Sequence, residues 1–421
     1  MCLLDMTVGR CCGLVILLVV VASGIAAPTS EPSARTRPAE TTLRNRRILE
    51  RVRKQTPGRT PARFNAIPDR LADILIEKHL YKDGEVWGLA KTVPDQGYPY
   101  DEMGSCTFAG LVRQYNLYDK VGPLDDAART KALKFWQSWQ DPATGRFKDP
   151  RDPKRQVNEK YVVGLIGQLG GEPLYKWTTT GTDKKIETRV FLERSREDPD
   201  WQNGGWGVGS HTGFQAVEIF EAINSGQVEL IPDLEKGVQQ ILSHQDPDDG
   251  LWGPPSAELM RRIGGTLKVI GRLYFKMGMH VPHTRELADA MIEHSRNGDW
   301  YKHGANSCVP RNAAEVTAYC LEVSDYRYDE LLEVLESLAK DYESWVLPDG
   351  RTLIARGDPS NVGLQYTTLY GLGIIAAYLH WEDCQLPNPL ADNPRGQGYR
   401  YQVGLLPDGS VKVIDTGAGK P

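Results

Sequence analysis

The 421-residue chain has 40% hydrophobic and 25% charged residues and a formal net charge of −5. That length holds one large domain or two medium ones, and the ordinary apolar fraction supports a sizeable core. Residues 1–27 are net neutral and residues 28–63 carry +7, so −12 falls on residues 64–421, an acidic body that argues against nucleic acid as the main partner.

The first predicted element is a leader. Arg10 precedes the apolar run 13–22, and the small residues Ser23, Gly24, Ala26 and Ala27 follow. This is the pattern of a secretory signal over residues 1–27, with cleavage after Ala26 or Ala27. The run is too short to span a bilayer, which takes about 20 apolar residues. The sequence therefore predicts a secreted or periplasmic protein with no stable membrane insertion after cleavage. Residues 28–63 are rich in Pro, Thr, Ser and Arg, and read as a disordered basic tail.

From residue 64 a phrase recurs: a glycine, one residue, then an aromatic, just after a helical run. It occurs at Gly145-Arg146-Phe147, Gly204-Gly205-Trp206, Gly250-Leu251-Trp252 and Gly298-Asp299-Trp300, with looser copies at Gly84–Trp87 and Gly350-Arg351-Thr352. Self-similarity at a period of roughly 50 residues marks a repeat architecture. The clearest unit runs from Glu235 to Tyr274. Residues 236–245 read as helix, and Asp246-Pro247-Asp248-Asp249-Gly250 breaks it, proline removing a donor and glycine allowing left-handed geometry. Trp252 plugs the turn. Leu259, Ile263, Leu267, Ile270 and Leu273 then recur at three- and four-residue steps, a second helix with one apolar face.

The unit around Gln140–Phe147 repeats this spacing. Further second helices read as 106–115, 157–169, 212–223, 313–321 and 364–379, rich in Gly, Ala and Ser as suits tight packing. Six such pairs stack into an open solenoid or close into a ring. The end units are no more polar than the middle ones, which favours closure. The predicted fold is all-α, an (α/α)6 toroid of six helix pairs over residues 64–385, with a C-terminal extension over 386–421.

The phrase Lys236-Gly237, Ile241-Leu242, Gln245, Gly250, Trp252 resembles the QW repeat of the squalene-cyclase and prenyltransferase superfamily. That resemblance implies an (α/α)6 toroid in which the glutamine caps the outer helix, the tryptophan stacks on the turn, and a central cavity opens where the inner helices begin. The same architecture resembles many polysaccharide lyases and glycoside hydrolases, and fold by itself does not carry function.

Asp246–Asp249 matches the Asp-x-Asp-Asp pattern of protonating terpene cyclases, but it lies inside the turn, where turn formation accounts for it. Four cysteines follow the leader: Cys106, Cys308, Cys320 and Cys384. An even number in an exported chain permits two disulfides. First and last units touch in a closed ring, so Cys106–Cys384 is the pairing to test, against four buried free thiols. No Cys-x-x-Cys is present, and neither a metal nor a cofactor is indicated.

In a closed ring the inner-helix N-termini converge on one mouth and favour anions there. Polar residues near those starts give two catalytic pools. Asp101, Glu159, Glu258 and Glu315 supply carboxylates for a glycoside hydrolase. His211, Tyr301, Arg311 and Asn312 suit a uronic-acid lyase, with cation and amide on the sugar carboxylate and His or Tyr as base. Asn158 and Gln365 join the substrate-binding candidates. Trp201, just before a plug, is free to stack on sugar. The expected function is thus an exported polysaccharide lyase or glycoside hydrolase acting on a poly- or oligosaccharide in the toroid cavity. The alternatives are a terpenoid cyclase or prenyltransferase-like enzyme, and a non-catalytic ring that binds a glycan or protein.

Overall fold

The structure is a computed structural model. It describes residues 60–74, 81–83, 86–89, 100–114, 117, 126–175, 188–299, 308–346, 362–384, 386–391 and 393–417. The leader and nearly all of the basic tail lie outside the described residues.

The described chain is mostly helical. Its elements in order are α1 (Ala62–Asn65), α2 (Ile67–Ile74), β1 (Tyr81–Asp83), β2 (Val86–Leu89), α3 (Glu102–Gln114), α4 (Asp126–Gln137), α5 (Glu159–Gln168), α6 (Arg189–Glu197), α7 (Trp206–Asn224), α8 (Ile231–Leu242), α9 (Leu259–Leu273), α10 (Thr284–Arg296), α11 (Cys308–Val323), α12 (Tyr328–Trp345), α13 (Val362–Tyr378), β3 (Tyr401–Leu405) and β4 (Val411–Asp415). Two antiparallel hairpins, β1–β2 and β3–β4, qualify the all-α expectation. The second turns at Leu406–Gly409, where the Gly409 amide donates to the Leu406 carbonyl at 2.9 Å.

Every expected second helix is present. Of these, α3 packs on α5, α7 on α9, α9 on α11 and α11 on α13, and α13 returns onto α3. The intervening helices pack against them: α4 on α5, α6 and α8 on α7, α10 and α12 on α11. Helix α8 shows why. Proline in its first turn and Asp233 suit a helix start. Leu234, Val238, Ile241 and Leu242 then form one buried stripe.

The repeated turns follow one design. Gly145 (φ 67°) and Gly250 (φ 69°) adopt the left-handed conformation that glycine tolerates. Gln245 Nε2 donates to the Gly250 and Pro282 carbonyls, both at 2.9 Å, stapling its turn to the entry of α10. Gln140 Nε2 donates to the Gly145 carbonyl at 2.8 Å and to the Tyr175 carbonyl at 2.9 Å. Phe147 and Trp252 each bridge back to the glutamine of their turn. Trp252 is fully buried and donates its indole N–H to the Ile241 carbonyl at 2.9 Å. The Asp246–Asp249 run serves the same turn: Asp249 takes a two-pronged bond from Arg262 at 2.6 and 2.8 Å.

The segment after residue 386 covers the C-terminal ends of α7, α9 and α11. Asn224 at the end of α7 bonds both backbone groups of Tyr401. Arg395 and Gly396 donate backbone N–H groups to Phe275 and Lys276, just past α9. The Arg395 guanidinium grips Glu322 at the end of α11 at 2.6 and 2.7 Å. Strand β4 docks on α8, with Val411 and Val413 amides donating to Gln239 and Glu235, each at 2.9 Å. Cys106, Cys308, Cys320 and Cys384 are all free thiols, so the Cys106–Cys384 pairing is not formed.

Candidate functional site

The polar residues near the second-helix starts separate into two groups. Those of the first group are held in structural bonds. Asp101 caps α3, its carboxylate accepting the Gly104 amide at 2.5 Å. Glu102 accepts from Arg155 and from the Asn158 amide. Arg155 and Arg151 both bond Asp149, each at 2.7 Å, and the Arg151 guanidinium lies 3.9 Å from the Tyr100 ring centroid. Burial pushes the Asp149 carboxyl up, but its bonds to both arginines outweigh that and hold it below the usual carboxylate range. Glu159 pairs with Arg146 at 2.8 Å. Asn158, at the N-cap of α5, is exposed. Glu258 occupies the N-cap of α9.

Arg261 and Arg262 both face turn acids: Arg261 pairs with Asp200 at 2.6 Å and Arg262 with Asp249. His211 is exposed and already inside α7, which begins five residues earlier at Trp206. Tyr301 lies outside the described residues. Gln365 falls in the first turn of α13, with its side chain outside them.

Trp201 corrects an expectation. It is 1% exposed, its ring stacks on His244 at 4.6 Å and 10°, and its indole N–H donates to the Arg194 carbonyl at 3.0 Å. Neither ring face is offered to a sugar. The short 3-10 turn Pro199–Asn203 leads into two left-handed glycines, Gly204 and Gly205, and tucks the indole inward.

The second group is buried where α9, α11 and α13 meet. Arg311 and Glu315, one turn apart on α11, form an ion pair at 2.6 Å, and both side chains are 1% exposed. The Arg311 guanidinium sits 4.4 Å from the Tyr370 ring centroid on α13. Glu315 also approaches α9: a Cβ on Gly271 would lie 3.8 Å from its Oε1. Across this contact α9 presents Lys268 and Arg272, both buried. Arg272 lies over Phe214 of α7 at 3.9 Å. Burial first, then Arg311 and Arg272, lower the Lys268 ammonium pKa from 10.5 to about 7. Burial likewise lowers Arg272 to about 10, with Glu315 opposing.

Among the described residues, neither Lys268 nor Arg272 lies within ion-pair distance of a carboxylate. Asn312 is also buried, and neither atom of its amide has a hydrogen-bond partner among the described residues. Three cations therefore gather around one carboxylate, an arrangement that attracts negative charge.

Of these side chains, Arg311, Asn312 and Glu315 are among the candidates read from the sequence, and Lys268 and Arg272 are not. Their signal was the four-residue step Lys268, Arg272, Lys276, which lines one side of a helix. Among the described residues no group of three or more His, Cys, Asp or Glu side chains could hold a metal. No helix of the described residues is long and apolar enough to cross a membrane. No family model, curated protein or solved structure matches this chain.

Proposed function

We propose that this chain is an exported polysaccharide lyase built as an (α/α)6 toroid. The contact of α13 with α3 supports ring closure. The signal-like residues 1–27 support export. The observation that carries the chemistry is the buried meeting of Arg311, Asn312, Lys268 and Arg272 between second helices. In the elimination a base takes the C5 proton, the C4–O bond breaks as the C4=C5 double bond forms, and the leaving oxygen takes up a proton; His211 or Tyr301 is the base candidate, and the sugar carboxylate must be neutralised for the C5 proton to be acidic enough. Cations and an amide suit that demand.

Hydrolysis needs two opposed carboxyl groups about 5–10 Å apart, one protonated and one ionised. Three of the four candidate acids are committed otherwise: Asp101 to a helix cap, Glu159 to Arg146 and Glu315 to Arg311.

The two stapled turns at Gln140 and Gln245 favour a second reading, kinship with the squalene-cyclase and prenyltransferase repeat. They are architectural, and a charged interior suits a greasy isoprenoid poorly. The test is to incubate the protein with a panel of polyuronides and follow the ultraviolet absorbance of unsaturated products. The expected result is a rise with at least one substrate. Reducing-end release without that absorbance would replace elimination by hydrolysis, and a flat response to the whole panel would remove the lyase reading.

A further inference from the structure

We infer that Lys268, Arg272 and Arg311, with Asn312, form a binding site for a small anionic group, the carboxylate of an acidic sugar or a sulfate or phosphate ester. The site stands on its own geometry and does not require the elimination reaction, although it would serve that reaction by seating the substrate's charge.

Taking an ammonium or guanidinium out of water costs several kcal/mol unless an opposite charge and hydrogen bonds replace the lost hydration. A chain that needed only a packed core would place apolar side chains there. This one places Lys268 and Arg272 one turn apart on α9, at 4% and 2% exposure. Gly209 and Gly213 of α7 let both stems approach closely: a Cβ on Gly213 would meet Arg272 Cγ at 2.8 Å, and one on Gly209 would meet Lys268 Cβ at 3.5 Å. Arg311 is the third cation, and Glu315, its partner at 2.6 Å, is the one carboxylate among them within the described residues. Counted over these four side chains, the excess is two positive charges when Lys268 is protonated.

Asn312 is the independent sign that a ligand belongs here. It lies one turn after Cys308, which interacts with Lys268, and seven residues before Tyr319, whose ring rests on Tyr274 beyond the end of α9 at 4.9 Å. Helical spacing therefore puts Asn312 on the α9-facing side of α11. A buried amide with no partner for either atom among the described residues has lost its hydration without replacement. A bound oxyanion would accept from its N–H2 as well as from the cations. The aromatic rings of Phe214 and Tyr370, stacked on Arg272 and Arg311, fix the two guanidinium planes in advance.

The experiment measures anion-dependent thermal stability and calorimetric binding on the full chain, in a zwitterionic buffer at constant ionic strength set with chloride. The probes are sodium glucuronate, sodium sulfate and sodium phosphate, with glucose as the neutral control. Saturable stabilisation at low millimolar concentration by at least one anion, absent with glucose, is expected. The anion that binds tightest identifies the source of the charge.

Lys268→Met and Arg272→Met should each weaken that binding at least tenfold while the protein stays folded. Lys268→Met should also raise the anion-free melting temperature, a result that a merely structural lysine would not give. No saturable response to any anion, or an equal response in the wild type and both variants, overturns the site. Anion binding without polyuronide cleavage would keep the site and sink the lyase reading. Cleavage with unaltered kinetics in both variants would do the reverse.

Discussion

Replacing Lys268 by Met keeps most of the buried stem and removes the charge. The folded-state pKa is lowered from 10.5 to about 7, first by burial and then by Arg311 and Arg272. The groups facing the amine are Arg272 on its own helix and Arg311, Glu315 and Cys308 from α11, with Gly209 of α7 against its stem. Because the folded pKa lies below the unfolded one, the folded state binds fewer protons between about pH 7 and 10.5, and stability rises with pH across that window. Below pH 7 both states are protonated and the full penalty is present. Above pH 10.5 neither is, and it vanishes.

A shift of this size corresponds to about 3–5 kcal/mol, at roughly 1.4 kcal/mol per pH unit within the window. Lys268→Met should therefore be more stable than the wild type at pH 6 by a few kcal/mol, with the difference shrinking toward zero by pH 10. For a domain of this size that is a melting temperature higher by roughly 4–7 °C at pH 6. Melts or urea titrations at pH steps from 6 to 10, in buffers without oxyanions, measure the difference directly. Other titrating groups cancel between the two proteins. A pH-independent difference, or a variant less stable than the wild type at pH 6, would refute the reasoning.

Gln245→Leu should destabilise the protein by about 2–4 kcal/mol, because the Gly250 and Pro282 carbonyls both lose their donor. Urea unfolding reads this, and a loss under 0.5 kcal/mol would show that water replaces the staple. Arg395→Met should cost about 3–5 kcal/mol near neutral pH, since it strands the buried Glu322 carboxylate. In the wild type burial pushes that carboxyl up, but Arg395 and the hydroxyls of Tyr378 and Tyr274 outweigh it and hold it below the usual range, so its contribution is present above about pH 4.5 and fades in acid. The variant's deficit should accordingly shrink as the pH falls below about 4.5, and a deficit that stays constant from pH 6 down to pH 3 would contradict the pairing.

The sequence alone determined the helical repeat, because its signals are local. Gly145 and Gly250 must turn left-handed, Phe147 and Trp252 must fill the turn, and the three- and four-residue apolar steps after them can only be helix faces. It also located Arg311, Asn312 and Glu315 by their distance from such a turn. Tertiary structure decided everything that depends on which face meets which neighbour. Trp201 looked free in the sequence, yet His244, from the next unit, covers its ring. Lys268 and Arg272 lie off the apolar steps that mark this helix in the sequence. Their burial follows from α9 being enclosed by α7 and α11, a fact that no single helix carries in its own periodicity. The C-terminal segment was likewise silent as sequence, because Arg395 gains its meaning only where it reaches Glu322, 73 residues away along the chain.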